Sequence, residues 1–166
     1  PKVEALEQAL AGYIGGDVSV RLFNSGTSAL EAALVASNIG PGDEVILPAM
    51  SFTATANVVV RVGATPVFVD VDLVSRNLVA SRVEAAVTPR TRAVIPVHFA
   101  GLAVEMQPLY DLAERSRLIV IEDAAHSLGT LWKGRKICTI GRIGCFSFQS
   151  YKMINAGEGE IMITDD

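Results

Sequence analysis

The sequence predicts an α/β fold, a three-layer αβα sandwich around a mostly parallel sheet of seven strands. Three observations point to it. Short β-branched apolar runs alternate with longer stretches of helical periodicity, as in successive βαβ units. Runs such as Leu118-Ile119-Val120-Ile121 are apolar throughout rather than alternating, so their strands are covered on both faces. The 166 residues, 50% apolar and 19% charged, suffice for one domain with a substantial core and hold no internal repeat or low-complexity stretch.

The elements follow in order. Residues 3–13 read as a helix with Leu6, Ala9, Leu10 and Tyr13 on one face. A short strand, 20–24, runs into Ser25-Gly26-Thr27-Ser28, where a second helix (27–37) starts and Gly40-Pro41-Gly42-Asp43 follows as a turn. The remaining strands are 44–48, 66–70, 93–98, 118–122, 144–148 and 161–164, with helices at 51–62, 78–86 and 106–115 between them.

Composition excludes several classes of function. Lys and Arg total 14 against 18 Asp and Glu, a net charge of −4 with no basic block, which argues against nucleic acid or an anionic membrane as partner. Mean hydropathy is high, +0.38. Yet the longest uncharged run, residues 45–60, is interrupted by Pro48 and by Ser and Thr, and falls short of the ~18–20 apolar residues of a membrane span. Cys138 and Cys145 read as reduced thiols of a cytoplasmic protein. A zinc site would need His98 or His126 to join them and lacks the tight C-x-x-C spacing, so no metal is expected. The chain opens on Pro1 without a secretory signal pattern and stops as a strand-like run ends. It reads as a piece of something longer, incomplete at both ends, hiding apolar surface against a further domain or a second subunit.

In parallel sheets ligands bind beyond the carboxyl ends of the strands, so residues just after strands are the candidates for chemistry. Ser25-Gly26-Thr27-Ser28 places unpaired N–H groups, a helix dipole and hydroxyls together. It suits a phosphate, and equally an ordinary N-cap. No Gly-x-Gly-x-x-Gly or Gly-Lys-Ser/Thr is present, which removes the dinucleotide and P-loop motifs. Glu122-Asp123-Ala124-Ala125-His126 ends a buried strand. A carboxylate there either caps the next helix or waits for a ligand cation or a metal. Lys152 follows the strand ending Ser147-Phe148 and is either solvated charge or, where desolvated, an amine nucleophile toward a carbonyl.

Together these segments resemble the DegT/StrS-type sugar aminotransferases, a branch of the fold-type I pyridoxal-phosphate (PLP) enzymes. The resemblance rests on Asn24-Ser25-Gly26-Thr27-Ser28-Ala29-Leu30, Gly40-Pro41-Gly42-Asp43-Glu44-Val45, the run from Pro48 to Asn57, Glu122 to Gly129, and Phe146-Ser147-Phe148 through Lys152 to Gly159. These span almost the whole chain in the family's order. The resemblance implies that Lys152 bonds covalently to PLP and that Asp123 pairs with the pyridine nitrogen, keeping the ring an electron sink. It places Gly26, Thr27, Ser28 and Ser147 at the phosphate, Phe52 and Ala125 against the two faces of the ring, and His126 near the 3-hydroxyl. It further implies amino transfer from glutamate or glutamine to a nucleotide-linked keto-sugar or a keto-cyclitol, with Lys152 moving the proton. The chain then corresponds to the PLP-binding large domain of a homodimer, over residues 1–166, without the C-terminal small domain. Two other readings are a sugar dehydratase, a reaction of relatives that lack the lysine, and a catalytically silent association module. One residue departs from the pattern: Glu160 stands where the family usually has another Gly, putting a side chain and a charge in what reads as a tight turn.

Overall fold

The computed structural model of the chain describes residues 2–15 and 17–165. In chain order the elements are α1 (Lys2–Ile14), β1 (Ser19–Phe23), α2 (Gly26–Ala36), β2 (Glu44–Pro48), α3 (Thr53–Arg61), β3 (Thr65–Val69), α4 (Ala80–Ala86), β4 (Thr91–Val94), α5 (Met106–Ser116), β5 (Ile119–Asp123), β6 (Leu131–Trp132), β7 (Arg135–Lys136), β8 (Ile143–Ser147) and β9 (Glu160–Thr164). The main sheet runs β1-β9-β8-β5-β4-β2-β3, seven strands as expected. β9 is antiparallel to both of its neighbours, and every other pairing is parallel. Six strands therefore point one way, and the carboxyl ends of β1, β2, β4, β5 and β8 share one edge with the amino end of β9.

Successive side chains on a strand point to opposite faces, and the core divides accordingly. Val45 and Leu47, Ala93 and Ile95, Ile121 and Cys145 pack with α2 and α3. Ile46, Val94, Val120, Phe146, Ile161 and Ile163 pack on the other face with Val83 of α4 and Leu109 and Leu112 of α5. Helices on both faces of a buried sheet give the three layers predicted from the apolar runs.

Several boundaries move, each for a local reason. β4 ends at Val94 rather than residue 98, because Pro96 has no N–H for the ladder. The strand direction survives through His98 N–H, which donates to the Asp123 carbonyl (3.0 Å). α3 starts at Thr53, with Phe52 extended ahead of it, and α4 starts at Ala80 because Leu78 pairs with Val71. The expected apolar face of α1 is corrected: Leu6 and Tyr13 are about half exposed and Ala9 is open, while Leu10, Ala11 and Ile14 meet the core. The small hairpin of β6 and β7 was not anticipated. Its strands are two residues each, and the signal is the turn, where Lys133 and Gly134 both have positive φ.

Candidate active site

The shared strand edge opens into a cavity of about 400 Å³, lined on the α2–α3 side by Gly26, Thr27, Phe52 and Thr55 and on the sheet side by Asp123, Ala125, His126, Ser147, Lys152 and Glu160. Residue parity explains why. Ile121 and Asp123 share the α2–α3 face of β5, Cys145 and Ser147 that of β8, and Met162 and Glu160 that of β9. Glu122, one residue earlier, faces away.

Asp123 is buried and held by two donors. Thr55 Oγ1 donates to Oδ2 (2.9 Å) and the Ala125 N–H to Oδ1 (3.2 Å). Ser51 Oγ lies 2.6 Å from Thr55 Oγ1, so a hydroxyl pair backs the carboxylate. Thr55 escaped the sequence reading. It sits 68 residues from Asp123, and the only local signal was a Ser and a Thr four apart at a helix start. Such an anchored, inward-facing carboxylate suits a ring cation.

Lys152 stands half-buried in the loop between β8 and β9, its N–H donating to the Gln149 carbonyl (2.8 Å). It lines the cavity together with Asp123, although the two come from different strands. His126 meets the edge of Phe99, with ring centroids 6.3 Å apart. Burial lowers the His126 pKa, and the Lys152 ammonium lowers it further against the pull of Asp123, so the imidazole favours its neutral form. Phe52, 74% exposed, lies at the cavity wall with no core packing to explain an aromatic side chain.

Gly26 and Thr27 line the cavity. Ser28 stands outside that lining: its N–H donates to Ser25 Oγ (3.2 Å) and its hydroxyl lies 2.9 Å from the same oxygen, so it serves the N-cap. Glu160 is a correction, for it is no turn residue. It opens β9, opposite Phe23 on one side and Ser147 on the other, and its buried side chain reaches the start of α2.

On the opposite face Glu122 forms a network that the sequence did not reveal. His98 Nε2 donates to Oε2 (2.9 Å), the Cys138 N–H to the same oxygen (3.0 Å) and the Tyr110 hydroxyl to Oε1 (2.7 Å). His98 Nδ1 accepts the Val104 N–H (3.1 Å), so the ring carries its proton at Nε2 and is neutral. Burial and then the Glu122 charge push the Tyr110 phenol up. His98, Glu122 and Cys138 form the one such cluster among the described residues with ligand atoms close enough for a metal. Both imidazole nitrogens and both carboxylate oxygens are already committed to hydrogen bonds. Both thiols are free and buried, with pKa values raised first by burial.

Comparison with known proteins supports the fold. The sequence profile of the DegT/DnrJ/EryC1/StrS aminotransferase family matches residues 1–166. The chain belongs to that family. It is 46% identical to the GDP-perosamine synthase of Caulobacter vibrioides over 160 residues, 96% of this chain and 43% of that protein. Among solved structures, S. venezuelae DesV in complex with a ketimine intermediate superposes with a TM-score of 0.96 at 40% identity, covering all of this chain and 45% of that one. NtdA from Bacillus subtilis, with bound cofactor PMP, gives 0.93 at 35% identity, again over the whole chain and 37% of NtdA. The chain spans less than half the length of the curated relatives it matches. Among the described residues no helix is long and apolar enough to cross a membrane.

Proposed function

We propose that this chain is the PLP-binding part of a sugar aminotransferase, and that its cavity holds the cofactor between Asp123 and Lys152. The observation that carries the reading is the convergence of an anchored carboxylate, a lysine and an anion-binding helix start in one cavity on one sheet face. The residues fit the ring and aldehyde half of PLP. Asp123 keeps two hydrogen-bond donors on its oxygens and faces a roomy cavity, as an acceptor for a ring N–H must. At the other end Thr27 and the start of α2 offer donors to the phosphate, at a place that the Glu160 side chain shares.

When bound, PLP supplies an electron sink that lets the α-proton of an amine leave. Asp123 would accept the hydrogen bond of the protonated pyridine nitrogen and keep that proton in place. Lys152 would hold the aldehyde carbon and, once freed, its Nζ would serve as the base and then the acid that moves the proton between the donor carbon and that aldehyde carbon. Phe52 and Ala125 confine the ring, and neutral His126 hydrogen-bonds beside it. The acceptor is a nucleotide-linked keto-sugar or a keto-cyclitol, the donor glutamate or glutamine, and the working form a homodimer.

Titration of the purified chain with PLP should give a visible absorption band and, after borohydride reduction, a covalent adduct on the Lys152 peptide. Lys152→Ala should abolish both, and Asp123→Ala should weaken the band or shift it to shorter wavelength. A folded chain with no band and no adduct refutes cofactor capture. A second reading, an association module without turnover, draws on the exposed Tyr151 (91%) and Phe52 (74%) at the cavity and on Met153 (68%), next in the chain to Lys152. Size-exclusion mass and a glutamate transamination assay probe both: dimer without turnover is expected and fits either reading, because the chain spans less than half of its relatives' length, and the PLP band with its Lys152 adduct then decides for cofactor capture.

A further inference from the structure

The helix-start end of the cavity already holds an acidic side chain. Glu160 is 3% exposed, and its side chain points from β9 into the start of α2. The Ser147 hydroxyl donates to its Oε1, while the Gln149 N–H donates to that same hydroxyl oxygen (3.3 Å), so the one proton Ser147 has to offer is spent on Glu160. A Cβ on Gly26 would lie 2.9 Å from the Glu160 carboxylate carbon and from Oε2, and only a glycine there admits the group so close to the helix start. Oε2 has no hydrogen-bond partner and is buried at the place where unpaired helix N–H groups gather.

We propose that Glu160 is a built-in occupant of the anion cradle, a carboxylate that competes with an incoming phosphate for Ser147 and the α2 amino end and so selects against phosphorylated ligands. A phosphate that takes the Ser147 hydroxyl must displace Glu160 or share the cradle with a like charge, and a bound dianion beside a carboxylate is repelled most strongly where water is excluded. Burial pushes the Glu160 carboxyl up to about 7, against the pull of Ser147, the Gly26 N–H and the Lys152 ammonium and with a further push from Asp123. Cys145 and Lys152 share its cavity. Above neutrality the charged carboxylate predominates and the competition strengthens.

For inorganic phosphate the inference stands on the geometry of the cradle alone. For PLP it rests on the cofactor reading given above. The test compares the full chain with Glu160→Gly and Glu160→Gln at pH 8. Calorimetric titration with inorganic phosphate measures the cradle itself, while PLP and pyridoxal, which differ only in the phosphate, are titrated for capture at Lys152. Glu160→Gly should bind phosphate at least about tenfold more tightly, about 1.4 kcal/mol, and its preference for PLP over pyridoxal should rise to match. Glu160→Gln keeps the shape, removes the charge and should move part of the way, which guards against a fold lost to glycine in a strand. Equal phosphate affinity in the parent and both variants overturns the proposal. Tighter phosphate binding in the variants with no capture of either aldehyde by any chain upholds the occupant and refutes the cofactor reading instead.

Discussion

Glu122 is the most consequential buried charge in the fold, and Tyr110→Phe tests how it is held. The Tyr110 hydroxyl donates to Oε1 at 2.7 Å, while His98 Nε2 and the Cys138 N–H both serve Oε2. Removing the hydroxyl leaves a fully buried oxygen of an ionised carboxylate without its donor, at a cost of about 1.5–3 kcal/mol. At roughly 2–4 °C per kcal/mol for a chain of this size, the unfolding midpoint should fall by about 3–12 °C. Glu122→Gln supplies the control. Its amide oxygen can face His98 and Cys138, and its NH2 can donate to the Tyr110 oxygen, so the hydrogen bonds survive and the charge does not. In that background Tyr110→Phe should cost only about 0.5–1.5 kcal/mol, as for a neutral pair. Thermal and urea unfolding of the parent, both single variants and the double variant closes the cycle. The reasoning fails if Tyr110→Phe leaves the midpoint unchanged, or if its cost is the same in both backgrounds.

Two further outcomes follow from the cavity. Glu160 is raised from 4.5 to about 7 in the folded chain by burial, so the fold retains a proton that the unfolded chain releases. Stability should therefore fall as pH rises between those values, by on the order of 3 kcal/mol for this group. Urea midpoints at pH 5 and pH 8 should show that slope in the parent and lose it in Glu160→Gln, and an identical slope in both would contradict the assignment. Thr55→Val replaces a fully buried hydroxyl of nearly equal volume and strips a donor from Asp123. It should cost about 1.5–3 kcal/mol, with Thr55→Ser, which keeps the hydroxyl, avoiding most of that loss, and an unchanged melting curve for the valine variant would refute it.

What the sequence made legible was whatever depends on near neighbours. Apolar β-branched runs bounded by turn residues placed six of the seven sheet strands to within one residue at each end. The remaining one, 93–98, was overrun at its end because Pro96 carries strand direction without a ladder N–H. Strand ends, once located, led to Asp123, Ser147 and Lys152, because a parallel sheet collects its carboxyl ends on one edge. The unread features all depend on where a side chain goes after the chain has folded. Glu122 and Asp123 are adjacent, and strand parity sends them to opposite faces, yet nothing local says which face holds the cavity. Ser28 and Thr27 look interchangeable in Gly26-Thr27-Ser28, but the i to i+3 spacing commits Ser28 to the Ser25 cap and leaves Thr27 to line the cavity. Glu160 shows the same limit most clearly. As a letter after Gly157-Glu158-Gly159 it reads as a perturbed turn, whereas antiparallel pairing of β9 places it between Phe23 and Ser147, with the start of α2 above it. A residue can be out of pattern in sequence and still occupy a site that the pattern defines, because the sheet brings it to the donors that the missing glycine would have left open.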